Sequence, residues 1–359
     1  MMRKKDKASL LTYDTQIAKK RLTLIIAFAG ILAMALYAIA SGSINLGLDV
    51  VVKTLVGSGD AGSDLVIFGI RLPRVITAML VGALLAVTGA VMQCVLNNPL
   101  ASASTLGVSQ GAAFGAAVGI IVFGGGVVNS GATSVAIAVE NPYIVTLSAF
   151  VFGSVSTAVI ILLSQLKRNI GPAGLILAGV ALSSLFGGGT ALLQYFADDS
   201  KISAVVFWTF GNLGSTSWKE ILILTVIFVV TFLYFLLNRW NYNAMRAGAD
   251  TAKSLGVNAR AVMLVSLGIS SFAAAIAVSF VGVISFIGLI APHIMRIFVG
   301  DDYRFLIPAS ALAGALVLLA ADTFARLIIA PVILPVGAIT AFLGAPVFLA
   351  LLLKGGDRY

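Results

Sequence analysis

The chain has 359 residues, 60% of them hydrophobic and 10% charged, with a formal net charge of +9. Soluble domains carry about a quarter of their residues as charges, so this composition excludes a water-soluble globular protein. The basic residues do not form one patch interleaved with aromatics, which excludes a nucleic-acid surface and leaves membrane topology as the source of the charge.

Apolar runs recur from Leu22 to Leu353, separated by short charged segments. Runs of about 20 residues, at 1.5 Å of rise per helical residue, match the hydrocarbon core of a bilayer. The predicted fold is an all-α polytopic membrane protein with about ten transmembrane helices, at approximately 22–41, 74–96, 106–124, 144–166, 173–197, 220–239, 261–284, 285–299, 305–330 and 335–354. The eighth is short for a full crossing and is expected to be partly re-entrant.

Residues 1–21 carry Arg3, Lys4, Lys5, Lys7, Lys19, Lys20 and Arg21 ahead of a full-length span. A signal peptide would have a shorter apolar core and a small-residue cleavage site, so this segment is expected to be a basic cytoplasmic tail. Residues 22–355 are then one transmembrane domain. Ten spans from an internal N-terminus put both termini in the cytoplasm. The basic residues agree: the tail, Lys167, Arg168, Arg239, Arg246, Lys253, Arg260, Arg296, Arg304, Lys354 and Arg358 place 17 inside. Only 6 (Lys53, Arg71, Arg74, Lys201, Lys219 and Arg326) fall outside, as the positive-inside rule requires.

Gly82 to Pro99 weakly resembles Ala273 to Pro292, each a small-residue helix followed by a proline. Five spans separate the copies, which would make the repeat inverted. Both ends of the comparison fall on expected breaks, Asn97 to Ala101 and Gly288 to His293. Irregular backbone at membrane depth occurs only where protein buries it or water lines it, so these segments either flank a translocation path or are helix-ending turns. Small residues crowd spans five and ten, as at Gly179, Ser183, Gly187, Gly337 and Gly344, and serve close helix packing or a wide path.

Charge within the spans is scarce. Asp322 stands one turn from Arg326, a spacing at which the two can neutralise each other. A proton- or sodium-coupled carrier needs buried ionisable groups, so the scarcity points to energy supplied by another subunit. The chain has no Gly-x-x-x-x-Gly-Lys-Ser/Thr phosphate loop of its own. The single histidine, His293, has no Cys, Asp or Glu at metal-ligand spacing and is assigned to packing or hydrogen bonding; one histidine builds no catalytic triad. Cys94, the single cysteine, lies in an apolar run and is expected to be buried and inert.

The largest cytoplasmic loop, 241–260, alternates small, charged and apolar residues from Ala244 to Val257. It suits one or two short helices beneath the membrane, which either dock a soluble partner or lie solvated on the surface. Arg71 and Arg74 oppose the charge trend at the external start of span two. With Arg326 they form an external basic cluster for an acidic partner, or snorkel at the interface.

Several motifs occur together: Arg71-Leu72-Pro73-Arg74; Gln93 with Asn98-Pro99-Leu100-Ala101; Leu106-Gly107-Val108-Ser109; Leu177 to Leu182; Phe207-Trp208 with Gly211; Ser254-Leu255-Gly256-Val257; Gly288 to His293; Ala321-Asp322; and Leu334 to Gly337 with Gly344-Ala345-Pro346. In this order they resemble the permease subunits of ATP-driven importers for iron–siderophore complexes, haem and cobalamin, over residues 65–355. The resemblance implies a dimer of permeases with two cytoplasmic ATPases and an extracytoplasmic binding protein, working by alternating access. ATP would be bound by the ATPase, and no cofactor is expected in this chain.

It also implies residue roles. Arg71, Arg74 and Arg326 would face the binding protein. Arg246, Gly248, Ala249, Asp250, Lys253, Ser254, Leu255, Gly256 and Val257 would seat in the ATPase cleft. Gln93, Asn98, Pro99, Leu100, Pro172, Ala173, Leu182 and Ser183 would belong to the path and its gate. The chain departs from the family at Gly248-Ala249-Asp250, where Gly-Glu-Glu is common. It departs again at Pro172 and Ala173, where the cobalamin permease has hydroxyl-bearing gate residues, and this counts against cobalamin.

Overall fold

The computed structural model describes residues 4–42, 46–125, 127–129, 137–139, 141–166 and 170–355. Arg3, Lys167, Arg168 and Arg358 of the topology count lie outside the described residues, as do the side chains of Lys4, Lys5, Lys7, Ala249 and Lys354. The helices in chain order are α1 (Lys4–Ala40), α2 (Leu48–Leu55), α3 (Ala61–Val66), α4 (Leu72–Val95), α5 (Val108–Ile121), α6 (Pro142–Leu166), α7 (Pro172–Tyr195), α8 (Asp199–Thr209), α9 (Trp218–Leu237), α10 (Arg239–Arg246), α11 (Ala249–Ser254), α12 (Ala259–Val281), α13 (Ile287–Val299), α14 (Tyr303–Leu327) and α15 (Val336–Gly355). Two three-residue strands, Val127–Asn129 and Ile137–Val139, pair antiparallel between α5 and α6.

Each of the ten apolar stretches coincides with a helix. Among the described residues seven are long and apolar enough to cross a membrane, and α5, α13 and α15 are shorter apolar helices. Two helices run beyond their expected limits. The α1 backbone is helical from Lys4, so the described part of the basic segment runs into the first span as one helix. A π-helical turn, Ile67–Arg71, joins α3 to α4 in one helical run, Ala61–Val95. The turn directly precedes Pro73, which has no N–H for the regular i→i−4 ladder.

A helix that is apolar all round belongs in the interior, and α4 is that helix: every residue from Val81 to Leu96 is buried. It packs against α14, α12, α13 and α9. Lipid tails offer no hydrophobic drive for helix association, so close backbone approach through small residues must supply it. A Cβ on Gly82 would run into the Gly314 carbonyl of α14, and one on Gly89 into the Gly288 carbonyl of α13. Two of the three large contacts of α4 therefore depend on glycine.

The peripheral helices differ. Among its described residues α7 buries only Leu175, Gly179 and Phe186, leaving Leu177, Val180, Leu185 and Leu192 exposed. α15 likewise exposes Phe342, Leu343, Val347 and Leu349.

One expected break is displaced. Gly288 to His293 is helical, within α13, and the irregular segment lies upstream at 282–286. It starts at Gly282 (φ 77°) and ends at Phe286, a non-glycine residue held at φ 67° as the N-cap of α13. Pro292 misleads here: it sits inside α13, where a neighbouring helix compensates for its missing donor, as described below.

Candidate functional site: two charged corners and an interrupted core

One end of the bundle gathers Arg71, Arg74 and Arg326 around Asp322. The carboxylate is fully buried. Arg74 donates to it through Nη2 at 2.8 Å and Nε at 3.0 Å, and Arg326 through Nε at 3.1 Å from the next turn of α14. The remaining donors of the cluster close the end of α1, whose last carbonyls have no intrahelical partner. Arg71 Nη1 donates to Ile39 O (2.6 Å) and Ala40 O (3.0 Å), and Arg326 to Ala38 O (3.2 Å) and Ser41 O (3.3 Å). The side chains of Arg74 and Arg326 are only 11% and 10% exposed, and Arg71 is buried. The i, i+4 pair was legible in the sequence. The part of Arg74, which approaches from 248 residues away, was not.

The opposite corner is built from the 241–260 loop and the turn between α13 and α14. The loop forms α10 and α11. Tyr242 and Ala244 of α10 face the core, with Tyr242 Oη 2.9 Å from Ser266 Oγ. Gly248 (φ 108°) makes the corner between the two helices and Gly256 (φ 78°) ends α11, both at angles that an L side chain resists. Asp250, Lys253, Ser254 and Leu255 project from the bundle, Leu255 being 67% exposed, while Val257 is half-buried.

Asp302 anchors this corner. It accepts from Asn243 Nδ2 (3.0 Å) and from Arg304 Nε (2.8 Å), and Asn243 Oδ1 accepts the Tyr303 N–H (2.9 Å). Burial pushes its carboxyl up, but the hydrogen bonds from Arg304 and Asn243 outweigh this and hold it below the ordinary value. A depressed carboxyl stabilises the fold above the unfolded-state value near 3.9, and that contribution is lost only as pH falls through the lower folded value. The corner therefore persists at mildly acid pH.

Between the corners, the two breaks come together. The first starts at Asn97 (φ 42°), where Asn98 Oδ1 accepts the Leu100 N–H at 2.8 Å and Leu100 is 40% exposed. Downstream, Ser102 and Ser109 share a cavity of about 20 Å³ with Ile284 and Phe286 of the second break and Gly288 of α13. The join is held by Gln93. Pro292 cannot donate to the Gly288 carbonyl four residues earlier; Gln93 Nε2 approaches that oxygen at 3.5 Å, and Gln93 Oε1 accepts from Arg296 Nη1 at 3.1 Å. Replacing Gln93 by leucine is expected to cost about 1–3 kcal/mol by leaving buried polar groups without partners. The loss should shrink in a Pro292→Ala background, where a backbone N–H reaches Gly288 again. Thermal unfolding of the four proteins checks this, and equal losses in both backgrounds would refute it.

The remaining residues expected on the path lie on α7. Pro172 and Ala173 are exposed at its start, and Leu182 and Ser183 are half-buried, with Ser183 Oγ donating to Gly179 O at 2.8 Å. α7 touches the first break where Gly179 meets the backbone of Thr105 and Leu106. A larger cavity, about 480 Å³, lies elsewhere, between Tyr143, Phe207, Trp208, Asn212, Glu220 and Phe280, and includes none of the expected path residues.

Long apolar helices around a buried central one define a multi-pass helical membrane protein. More narrowly, the chain belongs to the FecCD transport family, which it matches over residues 30–354. It is 50% identical over 343 residues to a protein of Methanocaldococcus jannaschii described as an ABC transporter permease, covering 95% of this chain and 97% of that one. It is 38% identical over 332 residues to the hemin transport system permease of Yersinia pestis, covering 92% and 96%. Among solved structures, a metal-chelate type ABC transporter in an inward-facing conformation superposes with a TM-score of 0.79 at 31% identity, covering 92% of this chain and 98% of that one. The family is one of membrane permease subunits of ABC importers.

Proposed function

We propose that this chain is one protomer of the permease of an ATP-driven importer for an iron–siderophore, haem or related metal chelate, in the inner or cytoplasmic membrane with both termini in the cytoplasm. The family supports the class. The observation that carries the mechanism is the projection of α11 and its following turn from the bundle, with Leu255 two-thirds exposed among charged neighbours. An isolated apolar side chain there fits a cleft on a soluble partner.

In this reading residues 22–355 are the permease domain and 1–21 its cytoplasmic tail. Two ATPases take Arg246 and the 248–257 segment. A second permease protomer, identical or related, covers the exposed faces of α7 and α15, and the path runs between them. Asn98, Pro99 and Leu100 with Gln93, Pro172, Ala173, Leu182 and Ser183 form its gate, and an extracytoplasmic binding protein docks at the end carrying Arg71, Arg74 and Arg326. Because those guanidiniums are largely covered, docking there engages their exposed edges or requires them to turn from Asp322. ATP binding closes the ATPase pair, moves the coupling segments and exchanges the gates.

Uptake into proteoliposomes holding the permease, its ATPase and binding protein tests the reading with ferric siderophores, haem and cobalamin. The control is Leu255→Asp, because reversal of Arg74 would also break the buried cluster. Uptake of one chelate is expected to need all three proteins and ATP, and to fall at least about tenfold in Leu255→Asp, the effect of about 1.4 kcal/mol at the coupling contact. Uptake by the permease alone on an ion gradient would make it a self-sufficient carrier instead.

A further inference from the structure

Arg296 and Asp301 have no part in the roles assigned above, yet they lie between two of them. Asp301, in the turn between α13 and α14, divides its carboxylate. Oδ2 is 2.6 Å from Arg246 Nη2 at the end of α10, and Oδ1 is 2.8 Å from Arg296 Nε on α13. Arg296 donates onward to Gln93 Oε1 at 3.1 Å, and Gln93 Nε2 approaches the Gly288 carbonyl at 3.5 Å. Two residues from Gly288 is Phe286, the strained N-cap. Its side chain abuts Gly344, where a Cβ would come within 2.7 Å, and its ring lies 6.4 Å from that of Phe348, both on α15.

We propose that Asp301 is a positioning residue for transport, a hub through which movement of the 241–260 loop is passed to the join of α4 and α13 at Gln93 and Gly288, and so through Phe286 to α15. The inference rests on the importer reading and deepens it.

The strengths of the links are graded in the way such a hub requires. The outer pair is at the rim, with Arg246 33% and Asp301 43% exposed. An exposed pair of this kind is worth little to stability, so a partner seated on the loop can draw Arg246 away. Arg296 is only 10% exposed, and the carboxylate released by Arg246 falls to it alone. The longest link is the last, from Gln93 to Gly288, at 3.5 Å and two residues past Phe286, where the irregular segment 282–286 ends. A contiguous path alone does not establish coupling; what marks this one is the single carboxylate shared between a rim cation of the 241–260 loop and a core cation.

The test uses the complete reconstituted complex and measures solute taken up per ATP hydrolysed in wild type, Asp301→Asn, Arg246→Gln, the double variant and Asp301→Glu. Each of the first two variants is expected to lower this ratio about tenfold, within the usual span of intersite couplings. The double variant should be no worse than either single one, and Asp301→Glu should recover most of the ratio. A wild-type ratio in Asp301→Asn, or losses that multiply in the double variant, would overturn the proposal. If Asp301→Asn melts below wild type, the rim variant Arg246→Gln decides by the same ratio. Absence of ATP-dependent uptake in the wild-type complex would instead bring down the importer reading, and the hub with it.

Discussion

Replacement of Asp322 by alanine is expected to destabilise the permease by about 3–5 kcal/mol, the cost of stranding buried charge by removing its partner. Among the described residues Arg74 has no other hydrogen-bond acceptor as close as the 2.8 Å carboxylate oxygen. Arg326 would keep its longer contacts, to the end of α1 at 3.2 and 3.3 Å and to Thr323 Oγ1 at 3.5 Å. The damage should be greater than that from Arg74→Met, which leaves Asp322 paired with Arg326. It should be partly reversed in Arg74→Met/Asp322→Leu, where the uncompensated charge and its partner leave together. Thermal unfolding of the detergent-purified proteins gives the order. An Asp322→Ala protein that melts with wild type would show that the cluster is solvated and holds nothing together.

The second large effect is steric. Gly89 and Gly288 let α4 and α13 touch backbone to backbone: a Cβ on Gly89 would run into Gly288 O, and one on Gly288 would stand 2.8 Å from Leu85 O. Valine at 89 must push the helices apart at the level of the Gln93 link, one turn away. Overpacking costs typically 1–3 kcal/mol and sometimes more; the upper end is expected here because backbone atoms, which have no rotamers to change, form the obstacle. Gly89→Val should therefore fail to assemble or melt well below wild type. Gly187→Ala on α7, where a Cβ would meet nothing within 4 Å, should be neutral. Equal stability of the two variants would refute the close crossing.

The exposed glycine-rich face of α7 also separates two readings that the sequence left open. Small residues in span five serve close packing within the chain at some positions and not at others. Gly179 is pressed against the backbone of Thr105 and Leu106, whereas Gly187 and Gly188 have nothing near them within the chain. Spacing alone could not distinguish these, because both positions have the same composition and differ only in what stands opposite.

What the sequence by itself determined is local in origin. Apolar run length marked where helices form, since each backbone group in a bilayer must pair within its own segment. The four-residue step from Asp322 to Arg326 announced their ion pair, and glycines at 248 and 256 bounded the short helices of the loop. The motifs, taken together, carried the family. Only the tertiary structure decided which helix is central, why Pro292 does not break α13, and that Arg74 and Gln93 serve partners 248 and 195 residues away. Helix–helix contacts in a membrane are set by the fit of surfaces distant in sequence, with little solvent-driven patterning to reveal them. A single chain shows where each surface begins and ends, and the packed bundle shows which surface it meets.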